Sequence, residues 1–192
     1  YGKTYRYLEF FKCPKIWDFS PLEDLANLEK VDVFWNARAD NLWNFSKNTA
    51  LKSILISDAK KMTFNPDKVK TSSVLEDVCF AGGMFNNYPV ESLDAFTGMP
   101  ALKRLKLYNI RLNRKNLEAL SAMPALERFD FDAGMLTTEE IAWIVAKYPH
   151  LSGNSLWAYN TEDAVLTDVR VCGFRKPGLG FPQHQKRLDK YI

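Results

Sequence analysis

A nine-residue apolar pattern recurs along the chain and fixes most of what it can fold into. Its clearest copy is Leu28-Glu-Lys-Val31-Asp-Val33-Phe-Trp-Asn36, apolar at the first, fourth and sixth positions. The frame starts at Tyr5, Leu28, Leu51, Leu75, Leu102, Leu126 and Leu151, so the intervals are 23, 23, 24, 27, 24 and 25 residues. Seven frames give 21 such positions, and 20 are apolar, Asn154 being the exception. At 46% hydrophobic residues, chance placement fills only about ten, so composition alone does not produce the pattern. Two blocks are near copies: Met99-Pro-Ala-Leu-Lys-Arg-Leu-Lys-Leu107 and Met123-Pro-Ala-Leu-Glu-Arg-Phe-Asp-Phe131. Apolar residues two apart read as a short strand with one buried face. A unit this short cannot bury that face alone, but stacked copies can. The same apolar content excludes a wholly disordered chain.

The spacing L-x-x-L-x-L-x-x-N resembles the leucine-rich repeat family, in divergent bacterial-type repeats, over residues 5–159. The ninth position is Cys13 or Asn36 in two frames, but Ala59, Gly83, Ile110, Gly134 or Tyr159 elsewhere. The eleventh is apolar only at Phe85, Leu112 and Leu136. The resemblance implies an α/β leucine-rich-repeat solenoid, a right-handed β/α superhelix. Its parallel strands lie inside, with short helices or 3₁₀ segments outside and a C-terminal capping hairpin. It also implies a protein-interaction module. Two segments are expected: repeats over residues 1–159, about seven frames, and a cap with a basic tail over residues 160–192.

The connecting segments fit this frame. Ser20-Pro-Leu-Glu23 and Thr137-Thr-Glu-Glu140 read as capping boxes. The second precedes Ile141, Ile144, Val145 and Tyr148 at helical spacing, and Asn113 is placed to cap a helix carrying Leu117 and Leu120. Asn65-Pro66 and Pro89 start shorter turns. Beyond Leu156, the alternation of Val165, Thr167, Val169 and Val171 reads as an antiparallel capping strand. Residues 176–180 read as a loop and residues 183–192 as a short helix. Almost nothing precedes Tyr5 to act as a cap, so the first strand is expected to be an edge open to self-association.

In such a stack the residues between the buried ones face the concave side. Phe11, Phe34, Tyr108 and Trp157 then take the seventh position, with Trp35 one step beyond and Leu55 at the fifth. Exposed aromatics on a scaffold are the usual anchors of an interface. The alternative is coverage by neighbouring loops, which the capping hairpin favours for Trp157. The expected partner-binding residues are Phe11, Phe34, Trp35 and Leu55, with Arg104 and Tyr108 further along. Small residues in the middle repeats, Ser53, Ser57, Cys79, Ala81 and Gly82, leave either a depression or shallow unused sheet.

Nothing in the pattern assembles a catalyst. His150 and His184 are the only histidines, and neither falls in a concave column. No nucleophile has an oriented base and no glycine-rich phosphate loop is present, so no catalytic residue is assigned and the chain reads as a non-enzyme. No metal or cofactor is expected, because no Cys/His cluster has ligand spacing. Cys13, Cys79 and Cys172 are odd in number and far apart, and they read as free thiols.

The net charge of +3 does not imply a polyanionic partner. Residues 170–192 carry six basic side chains against Asp189, which is +5, leaving +3 − 5 = −2 for residues 1–169. That tail supports an alternative, binding to nucleic acid or an anionic surface, or it is a solvated cap. The expected partner is a protein rather than nucleic acid. A second alternative is a structural piece of a larger chain. No apolar run reaches the ~18–20 residues of a membrane-spanning helix. Free thiols favour a cytoplasmic over a secreted or cell-surface location. The chain opens at Tyr1, so a removed signal peptide leaves no trace in it.

Overall fold

The computed structural model describes residues 4–62, 66–69, 72–83, 87–160, 169–176 and 178–179. The chain divides into two compact units, residues 1–126 and 127–192. Unit 1 holds the strands β1 (Tyr7–Phe11), β2 (Lys30–Phe34), β3 (Ser53–Ser57), β4 (Asp77–Ala81), β5 (Tyr88–Val90), β6 (Arg104–Tyr108) and β7 (Ile110–Leu112). Strands β1, β2, β3, β4 and β6 form a parallel sheet in that order, and β5 pairs parallel with β7 as a separate ribbon. The architecture is α/β, a parallel sheet with few helices.

The sheet register follows the repeat frame without a slip. Leu8, Val31, Ile54, Val78 and Leu105 stand side by side, and so do Phe10, Val33, Ile56, Phe80 and Leu107. From Val31 onward these side chains are at most 1% exposed, and Leu28, Leu51, Leu75 and Leu102 are fully buried. A one-residue slip would turn this entire apolar set outward, which is why the pattern fixes the register. Leu8 and Phe10 are only half-buried, because among the described residues nothing pairs on the outer side of β1.

Four of these strands end on a left-handed residue. Lys12, Trp35, Asp58 and Asn109 follow β1, β2, β3 and β6 with φ near +50°, and Gly82 follows β4. The N–H of each of the first four positions in sheet order donates to the next strand: Lys12 to Phe34 (3.0 Å), Trp35 to Ser57 (2.9 Å), Asp58 to Ala81 (3.1 Å) and Gly82 to Tyr108 (2.8 Å). Three of these frames also begin alike. Leu28, Leu51 and Leu102 donate to the carbonyls three residues back, of Leu25, Asn48 and Met99.

The connectors are mostly 3₁₀ turns: Ser20–Asp24, Phe45–Lys47, Leu93–Phe96 and Leu117–Ala122, with one short α-helix, α1 (Pro66–Val69). A 3₁₀ turn rises ~2.0 Å per residue against ~1.5 Å in an α-helix, so it suits a repeat with few residues for its return. The capping box expected at Ser20 does not form. Ser20 lies inside its turn, and its N–H and hydroxyl both donate to Asp18, at 2.8 and 2.7 Å. Asn113 does not cap the Leu117 turn, which begins after Asn116; its side chain donates to Glu91 at 3.0 Å. Pro89 lies within β5 rather than starting a turn. The ladder there runs from Tyr88 N–H to Asn109 and from Asn113 N–H to Val90, so Pro89 is asked for no donor. Asn65 lies outside the described residues.

Unit 2 holds β8 (Arg128–Phe131), α2 (Thr138–Lys147), β9 (Tyr159–Asn160), β10 (Val169–Val171) and β11 (Gly178–Leu179). The Thr137 capping box is present: Glu140 N–H donates to Thr137 Oγ1 at 3.2 Å, and Thr137 N–H to Glu140 Oε2 at 2.7 Å. Ile141, Ile144 and Tyr148 are buried, but Val145 is 44% exposed. The seventh frame forms no strand beyond one parallel bridge, Arg128 to Ser152. Side chains take the ladder's place there. Phe131 N–H donates to Asn154 Oδ1 (3.1 Å), Asn154 N–H to Asp130 Oδ1 (2.8 Å), and Ser155 Oγ to the Phe131 carbonyl. Strand β10 pairs antiparallel with both β9 and β11, so Gly178–Leu179 is a strand where a loop was expected. Val165, Thr167 and the helix expected over residues 183–192 lie outside the described residues.

Candidate functional site

Register builds the first feature. Phe11 stands opposite Phe34 across β1 and β2, with ring centroids 6.4 Å apart. Trp35 follows Phe34, and the Lys12 ammonium lies 4.3 Å from its ring and 5.5 Å from that of Phe11. Phe11 is 59% exposed and Trp35 51%, so among the described residues no loop covers them. Phe34 is half-buried, as is Leu55, which β3 places beside Asp32. Trp35 has φ +54°, a region that a bulky residue occupies at a cost of about 1–2 kcal/mol. Asn109, a residue that tolerates it, stands at the matching place after β6.

Arg104 and Tyr108 are not part of this cluster. They lie on β6, three strands from β2, roughly 14 Å away at ~4.8 Å per strand. Arg104 Nε donates to Asp77 Oδ2 at 3.0 Å, and Lys106 lies 3.9 Å from the same carboxylate. Tyr108 is half-buried. The structure thus gathers Phe11, Phe34, Trp35 and Leu55 on adjacent strands and leaves Arg104 and Tyr108 at the far side of the face.

Sequence reasoning passed over the exposed Tyr5, Tyr7 and Trp17. Tyr7 had a readable signal, since it shares the face of Glu9 and Phe11 at two-residue spacing. Its hydroxyl lies 2.9 Å from Glu9 Oε2 and 2.9 Å from Asp32 Oδ2. Those two contacts, Glu9 first, push the phenol's pKa well above its ordinary value. Lys30 Nζ lies 2.9 Å from Asp32 Oδ2 and 4.9 Å from the Tyr7 ring. Asp32 is 4% exposed, and its Oδ1 has no hydrogen-bond partner. Beside this group β1 is the edge of the sheet among the described residues. Arg6 and Lys12 bond to β2, so by alternation the N–H and C=O groups of Tyr7, Glu9 and Phe11 point away from it.

Of the small residues expected to leave a depression, Gly82 lines a cavity. It measures about 420 Å³ and lies where β3 and β4 end, among Asp58, Lys60, Lys61, Asn87 and Tyr88. The Tyr88 hydroxyl is buried without a partner, and desolvation raises its pKa. A second cavity of about 350 Å³ in unit 2 is apolar, lined by Ile141, Val145, Leu156 and Trp157 among others. Trp157 is 69% exposed, so the cover expected from the hairpin is absent among the described residues.

Cys13, Cys79 and Cys172 are free thiols, the last two buried. Among the described residues no three metal-ligating side chains converge, and no helix is long and apolar enough to cross a membrane. Of the basic tail, Arg170, Arg175 and Lys176 are exposed; Lys186, Arg187 and Lys190 lie outside the described residues. In comparisons with known proteins, the chain matches no family model and no curated protein.

Proposed function

We propose that the chain is a leucine-rich-repeat solenoid acting as a non-catalytic protein–protein interaction module, with its partner on the open face of β1, β2 and β3. The repeat reading is supported by the in-phase register, the left-handed residue after β1, β2, β3 and β6, and the three-residue backbone turn opening the frames at Leu28, Leu51 and Leu102. The binding reading is carried by one observation. Trp35 is half exposed in a backbone conformation that disfavours its side chain, beside the exposed Phe11. A strained aromatic that packs little is retained for contact outside the fold. A partner long enough to reach β6 also meets Arg104 and Tyr108.

The test is capture of a partner from source-cell lysate, its identification, and affinity measurement with three variants. Phe11→Ala and Phe34→Ala each weaken binding by about 30-fold, equivalent to ~2 kcal/mol. Trp35→Gly does the same while leaving the melting temperature unchanged or raised, because glycine suits the left-handed position. Unchanged affinity across all three would overturn the reading. A Trp35→Gly chain that unfolds would make Trp35 a packing residue.

A further inference from the structure

The first two strands of the open face hold more acceptors than protons. Tyr7 Oη is 2.9 Å from a carboxylate oxygen of Glu9 and 2.9 Å from one of Asp32. A phenol carries one O–H. It donates to one carboxylate and meets the other oxygen to oxygen. Lys30 reaches Asp32 Oδ2 at 2.9 Å, yet Asp32 Oδ1 still lacks a donor, although that side chain is only 6% exposed. Two carboxylates thus share one ammonium and one hydroxyl proton.

The neighbouring strands supply nothing more. On the same face β3 presents Ser53, Leu55 and Ser57, which carry no charge. The next charged group, Asp77 on β4, is another carboxylate, already occupied by Arg104 and Lys106. A buried carboxylate oxygen without a donor is costly. A cationic donor arriving from outside removes that cost.

We infer that Tyr7, Glu9 and Asp32 form the receptor for an arginine side chain on an extended segment of the protein partner. This names the partner chemistry of the interaction module proposed above and rests on that reading. A guanidinium has five N–H donors in a plane and no acceptor, so it can bridge the exposed Glu9 and the Asp32 carboxylate, whose Oδ1 is closed to solvent here and is reached when the exposed Tyr7 side chain shifts. A lysine ammonium matches less well, since Lys30 is already in place and leaves Oδ1 unserved. Apolar residues flanking the arginine rest on Phe11 and Phe34. The N–H and C=O groups of Tyr7 and Glu9, which face no strand among the described residues, offer the extended segment an edge to follow.

The test is a chemical-shift titration of the isotope-labelled chain with acetylated, amidated Leu-Arg-Leu. The control is the same peptide with citrulline, which keeps the shape and removes the charge. The arginine peptide shifts the amides of Tyr7, Glu9, Asp32 and Phe34 and binds at least about tenfold more tightly than the control. Glu9→Gln, an exposed position, abolishes that ratio; Asp32→Asn, checked for folding by circular dichroism, does so independently. Equal binding of both peptides at these residues would overturn the arginine assignment and leave the interaction module standing. No shift at these residues with either peptide, at about 10 mM, would also overturn the assignment. The module is then judged by the Phe11, Phe34 and Trp35 variants alone.

Discussion

Asn36 shows how much one residue of the pattern can hold. It is fully buried. Its amide donates to the carbonyls of Cys13 and Ile16, both at 3.0 Å, and its oxygen accepts from the N–H groups of Arg38 (2.9 Å) and Ala39 (2.8 Å). Asn36→Ala leaves four backbone groups without their partner, that of Ala39 buried and the other three partly so, and is expected to cost roughly 2 kcal/mol, read as a lower urea midpoint. A loss under about 0.5 kcal/mol, the level of an ordinary surface change, would show that water replaces the side chain. Asn48 does the same work one connector further on. It donates to Leu22 and Leu25 at 2.8 and 3.1 Å and accepts from Trp43 Nε1 at 2.8 Å. Asn36 was legible because it sits at a fixed place in the frame. Asn48 was not, because its role is defined by carbonyls 26 and 23 residues away.

Between elements, the second position of the frame carries a ladder of alternating sign: Arg6, Glu29, Lys52, Glu76 and Lys103. Arg6 Nε donates to Glu29 at 2.8 Å, and Glu76 joins Lys103 at 2.9 Å and Lys52 at 3.4 Å. The pairs are exposed, so each adds little by itself, and their value is in matching neighbouring strands. Hydrogen bonds from Lys103 and then Lys52 hold the Glu76 carboxyl below its ordinary 4.5. A depressed carboxylate stabilises fully above that ordinary value and loses its contribution as pH falls through the lower folded-state value. The urea midpoint of Glu76→Gln is therefore expected to fall less than the parent's on acidification from about pH 6 to below pH 4.5. An equal fall in both chains would remove Glu76 from the acid response. Glu23, Glu91 and Asp94 are also held low, so the variant flattens the response without abolishing it. The alternation was readable in the sequence, but only after the frames were aligned.

At the scale of the whole molecule, strands β8 and β1, one in each unit, are treated differently. Side chains of Asn154 and Ser155 close one side of β8. Strand β1 has no such closure among the described residues, and its apolar pair Leu8 and Phe10 is half-buried. Protection from amide exchange is expected to rise from β1 inward. The amides of Tyr7, Glu9 and Phe11 exchange near the unprotected rate, while those of Ile54 and Val78 are slower by orders of magnitude. Uniform protection across β1 to β4 would contradict the open edge. Protection of Tyr7, Glu9 and Phe11 that appears only at high protein concentration would show a second copy pairing there, the self-association expected of an exposed edge.

The sequence by itself determined strands β1, β2, β3, β4 and β6, their parallel order and their register, because apolar positions two residues apart can be buried together in only one phase. It also determined the Thr137 cap, where every partner lies within three residues. Tertiary structure decided the rest. The return segments became 3₁₀ turns, and Pro89 entered a strand that asks it for no donor. In the seventh frame, Asn154 bonded with its side chain where the earlier frames bond with backbone. The Tyr7, Glu9 and Asp32 group was likewise invisible to any local reading. Each residue is an ordinary strand-face side chain alone, and only pairing β1 with β2 sets three oxygens around a single proton.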